Sequence, residues 1–317
     1  MKLQRISRRE WLGGAAAGLI AGCGGDTSAS KTGKAGSRAF GVVFQTMNNP
    51  FFVELNEGLK SVIEQHGDSL ITLDSQFDAV KQRNDLSDLM LRGVAGLFVN
   101  PVDWEGVRSS LQQAKQKNVP VVIVDAPVRD ADLVLCQVAS DNVEAGRLAC
   151  RRLAAKQPNA QVVILDLPAN KACLDRVAGF NEELAKHPGM KVLATQVGKG
   201  TTEGALPVMR DMLGRYPSLT AAFPINDPSA LGCVAAIEAA GKQGTIDVVT
   251  VDGSAEGVKA ILAGKILSSS AQFPREIGKQ AAEAIYGQLN GKPPAKEIQV
   301  RVELVDADNA AKFLPKS

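Results

Sequence analysis

From residue 39 onward, short apolar runs rich in β-branched residues alternate with longer amphipathic stretches. "GVVFQ" (Gly41–Gln45) precedes a helical pattern from Phe51 to His66, "SLITLD" one from Val80 to Arg92, and "AGLFVN" one from Glu105 to Lys117; "VPVVIVD" follows. The runs lack strict apolar–polar alternation, the pattern of parallel strands covered by helices on both faces. Strands alternating with helices of about 10–15 residues predict βαβ units.

The pattern breaks at "LVLCQVAS" (Leu133–Ser140), which follows the preceding run after only a short turn region. A second series then begins with a helix from Asn142 to Lys156, "AQVVILD", a helix from Val177 to His187, "MKVLATQV" and a helix from Glu203 to Tyr216. It continues with "TAAFPIN", a helix from Pro228 to Ala240, "IDVVTVD", a helix from Ala255 to Ala263, and "ILSSSAQ". The tail adds a helix from Pro274 to Leu289, the loop "NGKPP" and one strand, "EIQVRVEL" (Glu297–Leu304). Two such series predict an α/β fold of two doubly wound, parallel-sheet lobes. A length of 317 residues, 45% hydrophobic and 22% charged, accommodates two lobes of about 120–150 residues each.

The N-terminus stands outside this pattern. "SRREWLGGAAAGLIAGC" joins the pair Arg8–Arg9 to an apolar stretch, Trp11–Gly22, shorter than the roughly 20 residues that cross a bilayer. It reads as an export signal over residues 1–22. Ser-Arg-Arg-x-aromatic-Leu looks like the twin-arginine form rather than the general secretory one. Ile20-Ala21-Gly22-Cys23 looks like a lipobox, with Cys23 lipidated and a Gly/Ser/Thr/Lys-rich flexible tether over residues 23–38. Cleavage removes Lys2, Arg5, Arg8, Arg9 and Glu10 and lowers the charge count from 36 basic and 34 acidic residues to 32 and 33. A near-neutral chain offers no electrostatic case for nucleic acid.

Cys136, Cys150, Cys173 and Cys233 match no zinc spacing. They read as small buried residues, with disulfides the alternative for an exported chain. The two histidines, His66 and His187, lie near predicted helix ends and supply no triad or His-based metal site.

Ligands of open α/β sheets bind beyond the carboxyl ends of the strands. Gln45–Asn49, Asp74–Gln76, Asn100, Asp125, Asp166, Asn226, Asp252 and Gln272 stand there. No Gly-rich phosphate loop and no Ser-His pair accompanies them. Carboxylates and amides around a cleft can each satisfy two hydroxyls of a polyol; taken singly, each could equally be a turn or N-cap residue.

"TMNNPFFVELNEGL", "LDSQFD", "LRGVAGLFVNPVD", "VASDNVEAGRLA", "RVAGF", "FPINDPSALG", "VVTVDGSAEG" and "AQFPREIGKQA" together resemble the ribose-binding-protein group of periplasmic sugar-binding proteins. The resemblance runs in order from about residue 40 to the C-terminus. The ligand lobes of lactose-repressor-type regulators share this fold, but carry a DNA-binding segment where this chain carries an export signal. The resemblance implies two lobes joined by three crossovers near Ser140–Asp141, Gln272–Phe273 and Arg301–Val302. Lobe 1 is then residues 39–140 plus 273–300, and lobe 2 residues 141–272 plus 301–317. It implies sugar contacts from Asn49, Phe51, Phe52, Asn100, Asp125, Arg176, Asn226, Asp252 and Gln272, with no cofactor. Two positions depart from the ribose binders: Ala126 stands where they have Arg, and Gly200 where they have an aromatic residue facing the Phe pair. Trp104 is a candidate replacement contact, with packing at a helix start as its alternative role.

The function implied is a monomeric lipoprotein, lipid-anchored to the outer face of the cytoplasmic membrane or held in the periplasm. It would bind a monosaccharide or polyol and present it to an ABC permease. An extracytoplasmic sensor for a membrane receptor is the second reading; neighbouring permease and ATPase genes would favour the first, a lone receptor kinase the second. A hydrolase using Asp125 and Asp252 as its carboxylate pair is the third, and turnover of a sugar would reveal it.

Overall fold

The computed structural model describes residues 37–314. The expected export signal, Cys23 and the tether up to residue 36 lie outside the described residues, as do residues 315–317. The tether's expected last residue, Arg38, is fixed in place. Its backbone N–H and guanidinium both bond Asp68, and the guanidinium lies 5.2 Å from the Tyr286 ring centroid.

Lobe 1 contains β1 (Ala39–Phe44), α1 (Pro50–Gln65), β2 (Ser69–Asp74), α2 (Ala79–Leu91), β3 (Leu97–Val99), α3 (Arg108–Gln116), β4 (Val121–Val124) and β5 (Cys136–Ser140). The chain then enters lobe 2 with α4 (Asn142–Lys156), β6 (Gln161–Asp166), α5 (Lys171–Leu184), β7 (Lys191–Val197) and α6 (Thr202–Arg215). That lobe continues with β8 (Ala221–Pro224), α7 (Asp227–Ala239), β9 (Asp247–Asp252), α8 (Ala255–Leu262) and β10 (Ser268–Ala271). α9 (Pro274–Leu289) and β11 (Glu297–Val300) return to lobe 1, and β12 (Glu303–Asp306) belongs to lobe 2. The sheet orders are β2-β1-β3-β4-β5-β11 and β7-β6-β8-β9-β10-β12. They have the same winding, except that β11 runs parallel to β5 while β12 runs antiparallel to β10.

Both sheets are covered on both faces. Phe40, Val42 and Phe44 pack under α1 and α9, while Val43 between them packs under α2 and α3. In lobe 2, Val162 and Ile164 face α4 and α5, and Val163 and Leu165 face α6 and α7. Each fully buried Phe or Val of this kind contributes about 1.5–3 kcal/mol.

Three expected elements differ. The strand over Glu297–Leu304 is two strands, because the chain changes sheet at Arg301–Val302. The helix expected from Val177 begins at Lys171, six residues earlier, because the Asn170 side chain caps it by accepting from Cys173 N–H at 3.3 Å. The helix expected from Glu105 begins at Arg108, because the Asp103 carboxylate takes the N–H groups of Glu105 and Gly106 into a turn.

The earlier start of α5 places Arg176 inside the helix, where α4 fixes its position. A Cβ on Gly179 would stand 1.9 Å from Val143 O, and one on Gly146 1.9 Å from Arg176 O. Backbones this close leave no room for a methyl group. Gly179→Ala is expected to cost about 1–3 kcal/mol, read as a melting temperature lowered by several degrees. An unchanged melting temperature would contradict the close approach.

Candidate functional site

A cavity of about 580 Å³ lies between the carboxyl ends of the two sheets. Asn49, Phe51, Phe52, Asp125, Arg176, Asn226, Asp252 and Gln272 line it. Asn100 and Trp104 do not.

Asp125 follows β4 directly and Asp252 ends β9, equivalent places in the two windings. Both have left-handed backbones, with φ of 68° and 132°. Such residues cost on the order of 1–3 kcal/mol each and persist only where their surroundings enforce them. At Asp125 a tight turn does so: Ala126 N–H donates to Val124 O at 2.8 Å, and Asp125 N–H to Val138 O at 2.8 Å.

In lobe 1, hydrogen bonds link the strand ends in the order of the strands. Asn100 Nδ2 donates to Asp125 Oδ2 at 3.0 Å, and Gln45 N–H donates to Asn100 Oδ1 at 3.2 Å. Phe77 N–H donates to Gln45 O at 2.6 Å. Asn100 also donates to Val124 O at 3.3 Å and is fully buried. Every donor and acceptor of its amide is thus engaged, and it orients Asp125 without reaching the cavity. Asn49 caps α1 through Oδ1, which accepts from Phe51 N–H at 3.0 Å. That bond seats Phe51 and Phe52 in the first turn, ring centroids 5.3 Å apart and edge to face.

Lobe 2 has its own chain. Gln272 Nε2 donates to Asp252 Oδ1 at 2.8 Å, and Asp227 N–H donates to Asp252 Oδ2 at 3.3 Å. Asn226 caps α7 by accepting from Ser229 N–H, and donates to Gly200 O at 2.9 Å. Arg176 is 4% exposed. Its Nε bonds Asn142 Oδ1 at 2.8 Å and its Nη1 bonds Ile225 O at 2.9 Å. Nη1 also stands 3.7 Å from Asp252 Oδ1. Nη2 has no protein acceptor among the described residues and remains available to a ligand.

Burial pushes Asp125 up to about 7; the negative charge of Asp252 adds to the shift, while Arg176 and the Asn100 bond oppose it. Burial also raises Asp252, against Arg176 and its hydrogen bonds. Asp227, behind the wall, is raised by burial and by the Asp252 carboxylate, against bonds from Ser254 and Ser269. The site therefore gathers more carboxyl groups than its single guanidinium can balance, and burial favours their neutral, protonated forms. Gln45 and Gln272, both on the wall, each leave Oε1 buried without a partner among the described residues.

Trp104 sits on the rim of lobe 1. Its backbone N–H donates to Ala169 O of lobe 2 at 3.2 Å, and its ring lies 5.2 Å from the Arg129 guanidinium. It joins the lobes instead of lining the cavity. Among the described residues Cys136, Cys150, Cys173 and Cys233 are unpaired and buried, and Cys173 lines the cavity.

The sequence pattern did not single out Phe77, Asn170 or Glu203 as wall residues. Phe77 and its neighbour Gln76 are left-handed, at φ 59° and 53°. The signal was present at Asn170 as an N-cap residue before a periodic stretch, and at Phe77 as an aromatic residue in a strand-end loop.

Residues 40–293 match the family described as periplasmic binding protein domain. The chain belongs to the periplasmic binding protein family. This periplasmic binding protein is 34% identical over 266 residues to the ribose import binding protein of Salmonella typhimurium, covering 83% of this chain and 89% of the relative. It is 27% identical to the fructose import binding protein of Bifidobacterium longum, covering 93% and 92%. Among solved structures it resembles the periplasmic binding protein of the arabinose ABC transporter from Shewanella sp. ANA-3, bound to L-arabinofuranose. That likeness has a TM-score of 0.82 at 30% identity, covering 87% of this chain and 94% of that one.

The raised Asp125 gives this periplasmic binding protein a pH dependence of known sign. A carboxyl whose pKa rises from 3.8 to about 7 on folding makes the folded chain bind more protons than the unfolded chain between those values. Its contribution therefore lowers stability as pH rises toward 7. Thermal denaturation of ligand-free Asp125→Asn should show the variant gaining on the wild type from pH 5 to pH 8. Parallel pH profiles would contradict the assignment.

Proposed function

We propose that the protein is the substrate-binding component of an ABC importer for a sugar or polyol, which it holds between its lobes by hinge closure without turnover. The observation that carries the reading is the pairing of Asp125 from lobe 1 with Asp252 from lobe 2. Both are buried, both have left-handed backbones, and both are wired into their own lobe's strand-end hydrogen bonds around Arg176. Carboxylate and amide acceptors outnumber the free donors, so the fitting ligand carries several O–H groups. One or two of these hydroxyls can also accept from Arg176 Nη2. A second anion would add uncompensated buried charge, which is expensive. The Phe51–Phe52 rings supply an apolar face for sugar C–H groups. The names of the ribose, fructose and arabinose relatives support the same class.

In this reading Asn49, Phe51, Phe52, Asp125, Arg176, Asn226, Asp252 and Gln272 touch the ligand, Asn100 positions Asp125, and Trp104 acts on closure. The three passages between lobes, at residues 140–141, 272–273 and 301–302, form the hinge. The protein is exported and works outside the cytoplasmic membrane. It does so as a monomer delivered by the twin-arginine signal in residues 1–22, anchored through lipidated Cys23, and docking on a permease.

Calorimetry against pentoses, hexoses and polyols tests the function. Binding at micromolar affinity or tighter is expected, with the ligand recovered unchanged; silence across the panel, or conversion of the ligand, would contradict it. Asp252→Ala should weaken that binding by about 100-fold or more, since it strands Arg176 in a buried site. A loss of only a few-fold would refute the site. Cys23→Ser should move the protein from the membrane to the soluble fraction, and an unaltered distribution would rule out the anchor.

A further inference from the structure

The loop between β2 and α2 holds an aromatic residue where folding alone gives no reason for one. Phe77 lines the cavity and is 40% exposed. It belongs to neither buried cluster of lobe 1. Its φ of 59°, next to Gln76 at 53°, is a region that bulky side chains avoid and that asparagine tolerates.

Three bonds donated by backbone N–H groups enforce that conformation. Gln76 N–H donates to Asp74 Oδ1 at 2.8 Å, Phe77 N–H to Gln45 O at 2.6 Å, and Asp78 N–H to Ser75 O at 2.8 Å. Asp78 then caps α2 through bonds from Val80 and Lys81. A large apolar ring is thus fixed at the cleft wall, partly in water, by a backbone that would be easier for another residue. Backbone strain held in place by its surroundings, in a wall already built for a ligand, points to a ligand contact.

We propose that Phe77 is a specificity-determining residue of the cleft. It lays a third aromatic face against a C–H surface that Phe51 and Phe52 leave uncovered. The favoured ligand is then a sugar or polyol larger than an unsubstituted aldopentose, such as a hexose whose exocyclic arm reaches Phe77. The room exists: the cavity measures about 580 Å³, and Gly200 on the opposite lobe presents no side chain to it. The proposal rests on the sugar-binding reading above.

The test is calorimetry of the wild type, Phe77→Ala and Phe77→Asn on one panel of pentoses, hexoses and polyols, with thermal denaturation of each protein without ligand. Both variants should bind the tightest ligand about tenfold or more weaker, and pentoses within about threefold of the wild type. Phe77→Asn should melt at or above the wild-type temperature, because asparagine accepts the left-handed backbone. Unchanged affinity for the tightest ligand, an equal loss across the panel, or a tightest ligand that is an unsubstituted aldopentose would overturn the proposal alone. So would a lowered melting temperature in Phe77→Asn, which would make the ring a structural prop. A wild type silent to the whole panel would overturn the sugar reading and this proposal with it.

Discussion

Two buried carboxylates, one from each lobe, share a single buried guanidinium, and this arrangement governs the rest of the molecule. Removing a carboxylate from water costs several kcal/mol unless it is paired and hydrogen-bonded. Asp252 has Gln272, the Asp227 N–H and Arg176; Asp125 has Asn100 and the more distant Arg176 charge. Two acids against one base leave the cleft short of charged donors. The shortage is spread over both lobes, so a ligand rich in hydroxyls relieves it most fully by touching both at once. Affinity and closure thereby become the same event.

The fold is arranged to keep those groups in place before a ligand arrives. In lobe 1 the bonds from Phe77 to Gln45, Asn100 and Asp125 follow the strand order from β2 to β4. In lobe 2, Gln272 and Asp252 are linked across β10 and β9, and Asn226 reaches over to Gly200. Arg176 depends on helix packing: the reciprocal glycines Gly146 and Gly179 let α4 and α5 touch, and Asn142 at the start of α4 grips Arg176 Nε. Lobe 1 repeats the device, with Gly58 of α1 against Arg275 O and Gly278 of α9 against Leu55 O. Preorganisation of this kind lowers the ordering entropy lost on binding.

The fold class was legible because period and covering are local properties. Runs such as "VPVVIVD", apolar at every position before the terminal Asp125, require helices on both faces, and Val121–Val124 are buried throughout. The change of sheet inside Glu297–Leu304 left no mark on the pattern, because a chain crossing a hinge keeps an extended backbone on both sides. Roles within the cleft were harder to read. Asn100 and Asn49 are the same residue type at strand ends, yet one is consumed by internal bonds and the other, while capping α1, has no partner for Nδ2 among the described residues. The difference depends on which neighbour the sheet order supplies. Phe77 escaped notice because its left-handed backbone is set by bonds to Asp74 and Gln45, which sequence spacing does not reveal.

The central claim is that one ligand satisfies both lobes and draws them together. Small-angle X-ray scattering tests it directly, on the protein with and without a saturating sugar whose binding has been established by calorimetry. The account predicts a smaller radius of gyration in the bound state. Identical scattering curves with the ligand demonstrably bound would contradict it.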